Sequence, residues 1–101
     1  MDFDQYQRKA SETAIYPEEN AVQFLSLGIN GESGEVAEKV KKSVRDGKEL
    51  ELKKELGDVL WYLSALASEL DLSLEEIAEK NIEKIKDREK RNLLKGEGDK
   101  R

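Results

Sequence analysis

Leu52-Lys53-Lys54-Glu55-Leu56-Gly57-Asp58-Val59-Leu60-Trp61-Tyr62-Leu63-Ser64-Ala65-Leu66-Ala67-Ser68-Glu69-Leu70 decides the fold class. Within it Leu52, Leu56, Val59, Leu63, Leu66 and Leu70 recur at alternating steps of four and three. That is the period of one helix face, not the two-residue alternation of a half-buried strand. The spacing predicts a helix over roughly residues 49–70. Working toward the N-terminus, Val22, Leu25, Ile29, Val36, Val40 and Val44 predict a second helix. It begins near residues 18–21 and runs to about Arg45, where Asp46-Gly47 supplies a stop-and-turn signal. Before the break at Pro17, Asp2 can cap a first helix with Gln5 at the capping-box position, and Phe3, Tyr6, Ala10 and Ala14 form its apolar face. Toward the C-terminus, Ser73 and Glu76 form a second capping-box pattern. They open a helix whose inward residues are Leu74, Ile77, Ala78, Ile82 and Ile85.

The periodicity fades past Arg91. Residues 1–94 therefore read as one helical domain and 95–101 as a flexible C-terminal tail. No repeat, second domain or strand pattern is present. The expected fold is all-α: four helices joined by short connections, bundle-like, with mostly antiparallel neighbours. A chain of 101 residues with 37% hydrophobic and 41% charged residues has a small core, which would gain from burial against a second copy. Phe24, Leu27 and Trp61 lie away from the inner stripes of their helices and suggest a subunit interface. The chain is thus expected to assemble into a homo-oligomer.

Composition narrows the function. A net charge of −5 disfavours a nucleic-acid binder. No apolar run approaches the ~20 residues of a membrane span, and no secretory signal is expected, since Met1 leads straight into charged sequence. The absence of Cys excludes disulfides and thiolate metal sites and fits a cytoplasmic protein. The absence of His removes a histidine base and most zinc sites. A metal held by these side chains must accept oxygen ligands, as Mg2+ or Mn2+ does.

Two motifs carry chemistry: Gly31-Glu32-Ser33-Gly34-Glu35 and Glu55-Leu56-Gly57-Asp58. Each sets two carboxylates three residues apart on one side of a helix, beside its apolar stripe. If the two helices pack antiparallel, Glu32, Glu35, Glu55 and Asp58 can converge at the edge of the core. A divalent cation would relieve the repulsion among them. The competing reading is plain surface charge in a chain with 23 acidic residues, with Glu35 and Lys39 as an ordinary helix pair. Glu38 continues the series but rotates outward. Gly28, Gly31 and Gly34 each cost ~1 kcal/mol relative to Ala in a helix, which calls for a close approach by a ligand or another helix. Helix packing is the favoured reason at Gly28.

Taken together, these residues resemble the MazG-like, all-alpha nucleotide pyrophosphohydrolases, a superfamily that includes dimeric dUTPases and dCTP pyrophosphatases. The resemblance runs from about Leu27 to Arg88. It takes in Gly31 to Glu38, Lys54 to Tyr62, Leu74-Glu75-Glu76 and Asn81-Ile82-Glu83-Lys84-Ile85. It implies hydrolysis of a nucleoside triphosphate between the α and β phosphates, giving a monophosphate and pyrophosphate. It implies magnesium held by Glu32, Glu35, Glu55 and Asp58, and a homodimer or homotetramer with pockets near subunit contacts. The first helix carries no match to the base-reading residues of the dCTP branch, so nucleotide choice stays open.

On this reading Glu35 or Glu38 orients or deprotonates the attacking water. Asn81, Lys84 and Arg88, on or beside one face of the fourth helix, contact the substrate, the two cations gripping phosphate. Arg88 could instead snorkel at the bundle end and pair with a glutamate. Tyr62, four residues after Asp58, packs on the nucleoside or serves as a core tyrosine. Two alternatives remain: a non-enzymatic helical dimerisation module, and a regulatory relative that binds nucleotides without cleaving them.

Overall fold

The computed structural model describes residues 1–101, all of the chain, as four α-helices without strands. Helix α1 spans Phe3–Ser11, α2 Ala21–Asp46, α3 Lys53–Glu69 and α4 Leu74–Lys90. No helix is long and apolar enough to cross a membrane. The stop at Asp46-Gly47 holds: Gly47 ends α2 with φ +64°, a left-handed conformation that costs glycine little, whereas α1 ends at Ser11, before Ala14, which was expected on its apolar face. Helix α3 starts about four residues later than the periodicity suggests. Residues 48–52 instead form a connection in which the Ser43 hydroxyl donates to the Lys48 carbonyl.

The capping box of α1 is complete. Asp2 accepts from the Gln5 amide at 2.8 Å, and the Gln5 side chain accepts from the Asp2 amide at 2.8 Å. At α4 only one half forms: Ser73 Oγ accepts from the Glu76 amide at 3.1 Å, without the expected return bond from the Glu76 side chain. A different carboxylate works there. Glu75 accepts from the amides of Phe3 and Asp4 at 3.0 and 3.4 Å, so α4 caps α1. In return Gln7 of α1 accepts from the Leu74 amide at 2.9 Å, and Asp4 accepts from the Ser73 hydroxyl at 3.1 Å. The N-termini of α1 and α4 thereby satisfy each other's orphan donors.

Helices α2 and α3 are antiparallel neighbours. Two contacts fix the register: Gly28 lies against the Tyr62 ring, and Lys39 pairs with Glu55. As the chain advances along α2 it retreats along α3. A second side of α3 is covered by α1 and the segment after it: the Trp61 indole donates to Thr13 Oγ1 at 2.9 Å, and Gln7 donates to Ser68 Oγ at 2.9 Å. Trp61 is thus used within the chain, edge-on to Tyr62 at 5.2 Å, rather than offered outward as its helical phase suggested. Phasing against one stripe cannot register cover from a separate helix. Tyr16 of the α1–α2 connection donates to Glu69 and stacks on Phe24; the Glu69 bond, aided by burial, pushes its phenol up to about 12.

The third side of α3 is open. Leu56, Leu63 and Leu70, expected to face inward, remain exposed, Leu56 by 55%. The residues of α3 that do bury are Glu55, Ser64, Ala65 and Ala67. On α2, Leu25 alone of the predicted stripe is fully buried, and Val44 is 80% exposed. Ile77, Ile82 and Ile85 of α4 are likewise exposed. The reason is topological: α2 packs only on α3, while α4 packs on α1 and α3 and never meets α2. The radius of gyration is 16.4 Å, against about 13 Å for a compact domain of this length. The four helices are present, but one chain leaves the bundle open.

Gly28 and Gly31 separate packing from propensity. A Cβ at Gly28 would fall 2.2 Å from the Tyr62 ring, whereas one at Gly31 meets nothing within 4 Å. Gly28→Ala should destabilise the fold by about 1–3 kcal/mol, and Gly31→Ala should stabilise it by up to ~1 kcal/mol. Urea denaturation compares the two; equal effects would contradict the register.

Candidate functional site

The antiparallel register brings the two acidic motifs level. Because residue 28 meets 62 and residue 39 meets 55, Glu32 and Glu35, between 28 and 39, come opposite the stretch holding Asp58 and Glu55. Glu32 is half-buried, and Glu35 and Asp58 are exposed. Glu55 differs: it is 8% exposed, with one oxygen 2.9 Å from Lys39 Nζ and the other, Oε2, buried without a hydrogen-bond partner. Lys39 holds the Glu55 carboxyl below its usual range, mainly through that hydrogen bond and against the opposing effect of burial.

As the side chains stand, no three acids are close enough to grip one ion. Lys39 takes up one oxygen of Glu55. The residues nonetheless fit a hard cation. A buried carboxylate oxygen with no donor is costly, and Glu55 Oε2 is such an atom. The Glu55 carboxylate meets α2 at Lys39, four residues past Glu35, and the donor set offered by Glu32, Glu35, Glu55 and Asp58 is oxygen only.

Glu38 sits apart. Its carboxylate pairs with Lys41 at 3.1 Å and Lys42 at 3.7 Å, and Lys41 first, then Lys42, lowers its pKa. Expected to rotate outward, Glu38 is half-buried, while Glu35 is exposed. Tyr62 is half-buried, its ring across Gly28.

Asn81, Lys84 and Arg88 lie on α4, which makes no contact with α2; one chain does not bring them to Glu32 and Glu35. Asn81 and Lys84 line an open groove of about 410 Å³ with Leu72, Ser73, Glu76, Ile77 and Lys80. Arg88 is buried and pairs with Asp99 rather than with a glutamate.

Sequence reasoning missed three participants. Lys39 is the counterion of Glu55; a lysine four residues after Glu35 signalled only a helix-surface pair. Tyr6 of α1 is near enough to Asp58 that its phenol is raised, first by burial and then by that charge. Asp99 lay in the segment read as a tail.

The pairing at Glu55 gives a sign for its pH dependence. Its folded pKa is depressed, so its contribution to stability is present above the ordinary value of 4.5 and is lost as pH falls through the lower folded value. Lys39→Met should move the Glu55 titration upward, followed by carbon-13 NMR of the carboxyl. An unmoved titration would show that Lys39 is not its counterion.

Comparison with known proteins follows the same stretch of chain. The sequence model of a family described as "MazG nucleotide pyrophosphohydrolase domain" matches residues 21–93. The chain is 39% identical to the Gene 37 protein of Mycobacterium phage L5, over the whole of both chains. It is 41% identical over 66 residues to the uncharacterized protein YpjD of Bacillus subtilis (strain 168), covering 65% of this chain and 55% of that one. No solved structure matches.

Proposed function

The chain belongs to the MazG nucleotide pyrophosphohydrolase domain family, and from that premise we propose that it is a magnesium-dependent enzyme cleaving nucleoside triphosphates between the α and β phosphates. The observation that carries this reading is the buried, donor-less oxygen of Glu55, set on a helix pair whose register brings Glu32, Glu35 and Asp58 to the same level.

Glu32, Glu35, Glu55 and Asp58 would hold the ion, Mg2+ or in its place Mn2+. Bound there, it supplies Lewis acidity toward the phosphoryl group and offsets repulsion between four carboxylates and an anionic substrate. For that, Lys39 must leave Glu55. Its Nζ sits on an exposed, flexible stem, free to swing to phosphate. One water is consumed: its oxygen joins phosphorus as the α–β phosphoanhydride bond breaks, and its proton passes to a carboxylate. Glu35 suits that role better than Glu38, because Glu35 makes no ion pair while two lysines lower the basicity of Glu38. Lys84 and Arg88 would offset charge on the departing pyrophosphate, Arg88 as a fork. Asn81 would contact sugar or phosphate, and Tyr62 would present its edge to the nucleoside.

The exposed rows Leu56-Leu63-Leu70 and Ile77-Ile82-Ile85 favour a homodimer or homotetramer that closes the bundle and brings Lys84 and Arg88 of α4 to the acids. A cytoplasmic setting, where nucleotide pools lie, accords with this substrate and with a chain lacking Cys.

Pyrophosphate release from a panel of canonical and modified triphosphates tests the activity. With magnesium at least one should be cleaved. Because several kcal/mol of charge stabilisation is at stake, Glu35→Gln and Asp58→Asn should each lower kcat/KM by at least about 100-fold. No cleavage with magnesium or manganese contradicts the reading; tight nucleotide binding without turnover would mark a regulatory relative. Sedimentation should find a dimer or tetramer, and a monomer at micromolar concentration would refute the assembly.

A further inference from the structure

The two cations proposed to grip phosphate already hold an anion. Arg88 is 8% exposed, so its charge has lost most of its water and must be matched within the protein. The match is Asp99. Arg88 Nη2 donates to the Asp99 carbonyl at 2.6 Å and to Oδ1 at 3.3 Å, and Lys84 Nζ donates to the same Oδ1 at 2.9 Å. One carboxylate oxygen bridges both cations. Lys84 first and then Arg88 hold that carboxyl below its usual range.

The local chain is shaped to deliver Asp99. Gly98 turns at φ +85°, and a Cβ on Gly96 would fall 2.6 Å from Cδ of Arg101. The Arg101 guanidinium donates to the carbonyls of Leu93, Leu94 and Gly98, and Arg91 donates to the Arg101 carbonyl. The segment read as a tail is thus folded against the end of α4.

The fit is incomplete. Arg88 Nε is buried with no partner. A guanidinium presents several donors in a fork that phosphate can meet bidentately, while Asp99 engages Nη2 alone. The Asp99 side chain is 82% exposed, so its attachment is weak enough to be exchanged. Phosphate brings more charge and more acceptors than a carboxylate.

We infer that Asp99 is a resident occupant of the Lys84–Arg88 phosphate site, and that the polyphosphate of a nucleotide displaces it and releases residues 96–101 as it binds. This rests on the substrate-binding role proposed above for Lys84 and Arg88 and adds its regulation. The occupant keeps the buried Arg88 charge matched when no substrate is bound.

The test uses the full chain and metal-free inorganic pyrophosphate at low salt, followed by calorimetry and by NMR of the Arg88 Nε–H and the amides of residues 96–101. Asp99→Asn keeps the shape of an exposed side chain and removes its charge. It should bind pyrophosphate about fivefold more tightly than the natural chain, the limit for competition by one exposed ion pair. In the natural chain, pyrophosphate should shift Arg88 Nε–H and the 96–101 amides together. Equal affinities with unmoved 96–101 amides, while Arg88 Nε–H shifts, would overturn the displacement and leave the phosphate site standing. Pyrophosphate that fails to bind either protein, or binds without moving Arg88 Nε–H, would overturn the phosphate site and this inference with it.

Discussion

Everything at the site hangs on how closely α2 and α3 approach. The Tyr62 ring occupies the place a side chain would take at residue 28, so the contact exists only because Gly28 has none. That contact, with the Lys39–Glu55 pair about three turns further along α2, fixes the antiparallel register. The register in turn decides which carboxylates face one another. A slip of one residue would rotate each acid about 100° out of line. The glycine is therefore retained against its helix-propensity cost, and the cost is spent on geometry.

A second constraint is the shortage of apolar cover. The chain brings α2 and α4 each to α3 but not to one another, and the result is a set of paired helices with an exposed leucine row rather than a closed bundle. The groups proposed for the chemistry are split accordingly: Glu32 and Glu35 lie on α2, which does not meet the α4 that carries Lys84 and Arg88. Polar bonds do much of the joining instead. The mutual capping of α1 and α4 through Glu75 and Gln7 orients α4 without a large apolar interface. A partner that covered the leucines would, on the proposed reading, also fix the separation of these acids and cations.

Much of the architecture was legible because helices announce themselves locally. Asp2, Gly47 and Ser73 mark ends through backbone rules that need no tertiary knowledge, and the four-helix count followed. Spacing also put Glu32 with Glu35 and Glu55 with Asp58. What could not be read was which face of an element the chain would cover. Leu56, Leu63 and Leu70 have the pattern of an inner face, yet Ser64, Ala65 and Ala67 pack more tightly, because small residues let neighbouring helices come close. Trp61 seemed turned away until Thr13, from a distant turn, supplied its acceptor. Glu75 as the cap of α1 and Asp99 as the partner of Arg88 depend on contacts 72 and 11 residues apart, beyond any local pattern.

The central claim is that the acids of α2 and α3 form one cation site. Paramagnetic broadening by Mn2+ measures this most directly, because the effect depends on distance to the ion and needs no turnover. At substoichiometric Mn2+, amide signals around residues 32–35 and 55–58 should broaden first and together, with loss of the Lys39–Glu55 contact. Broadening confined to one helix, or spread over the many other acids of the surface, would contradict it.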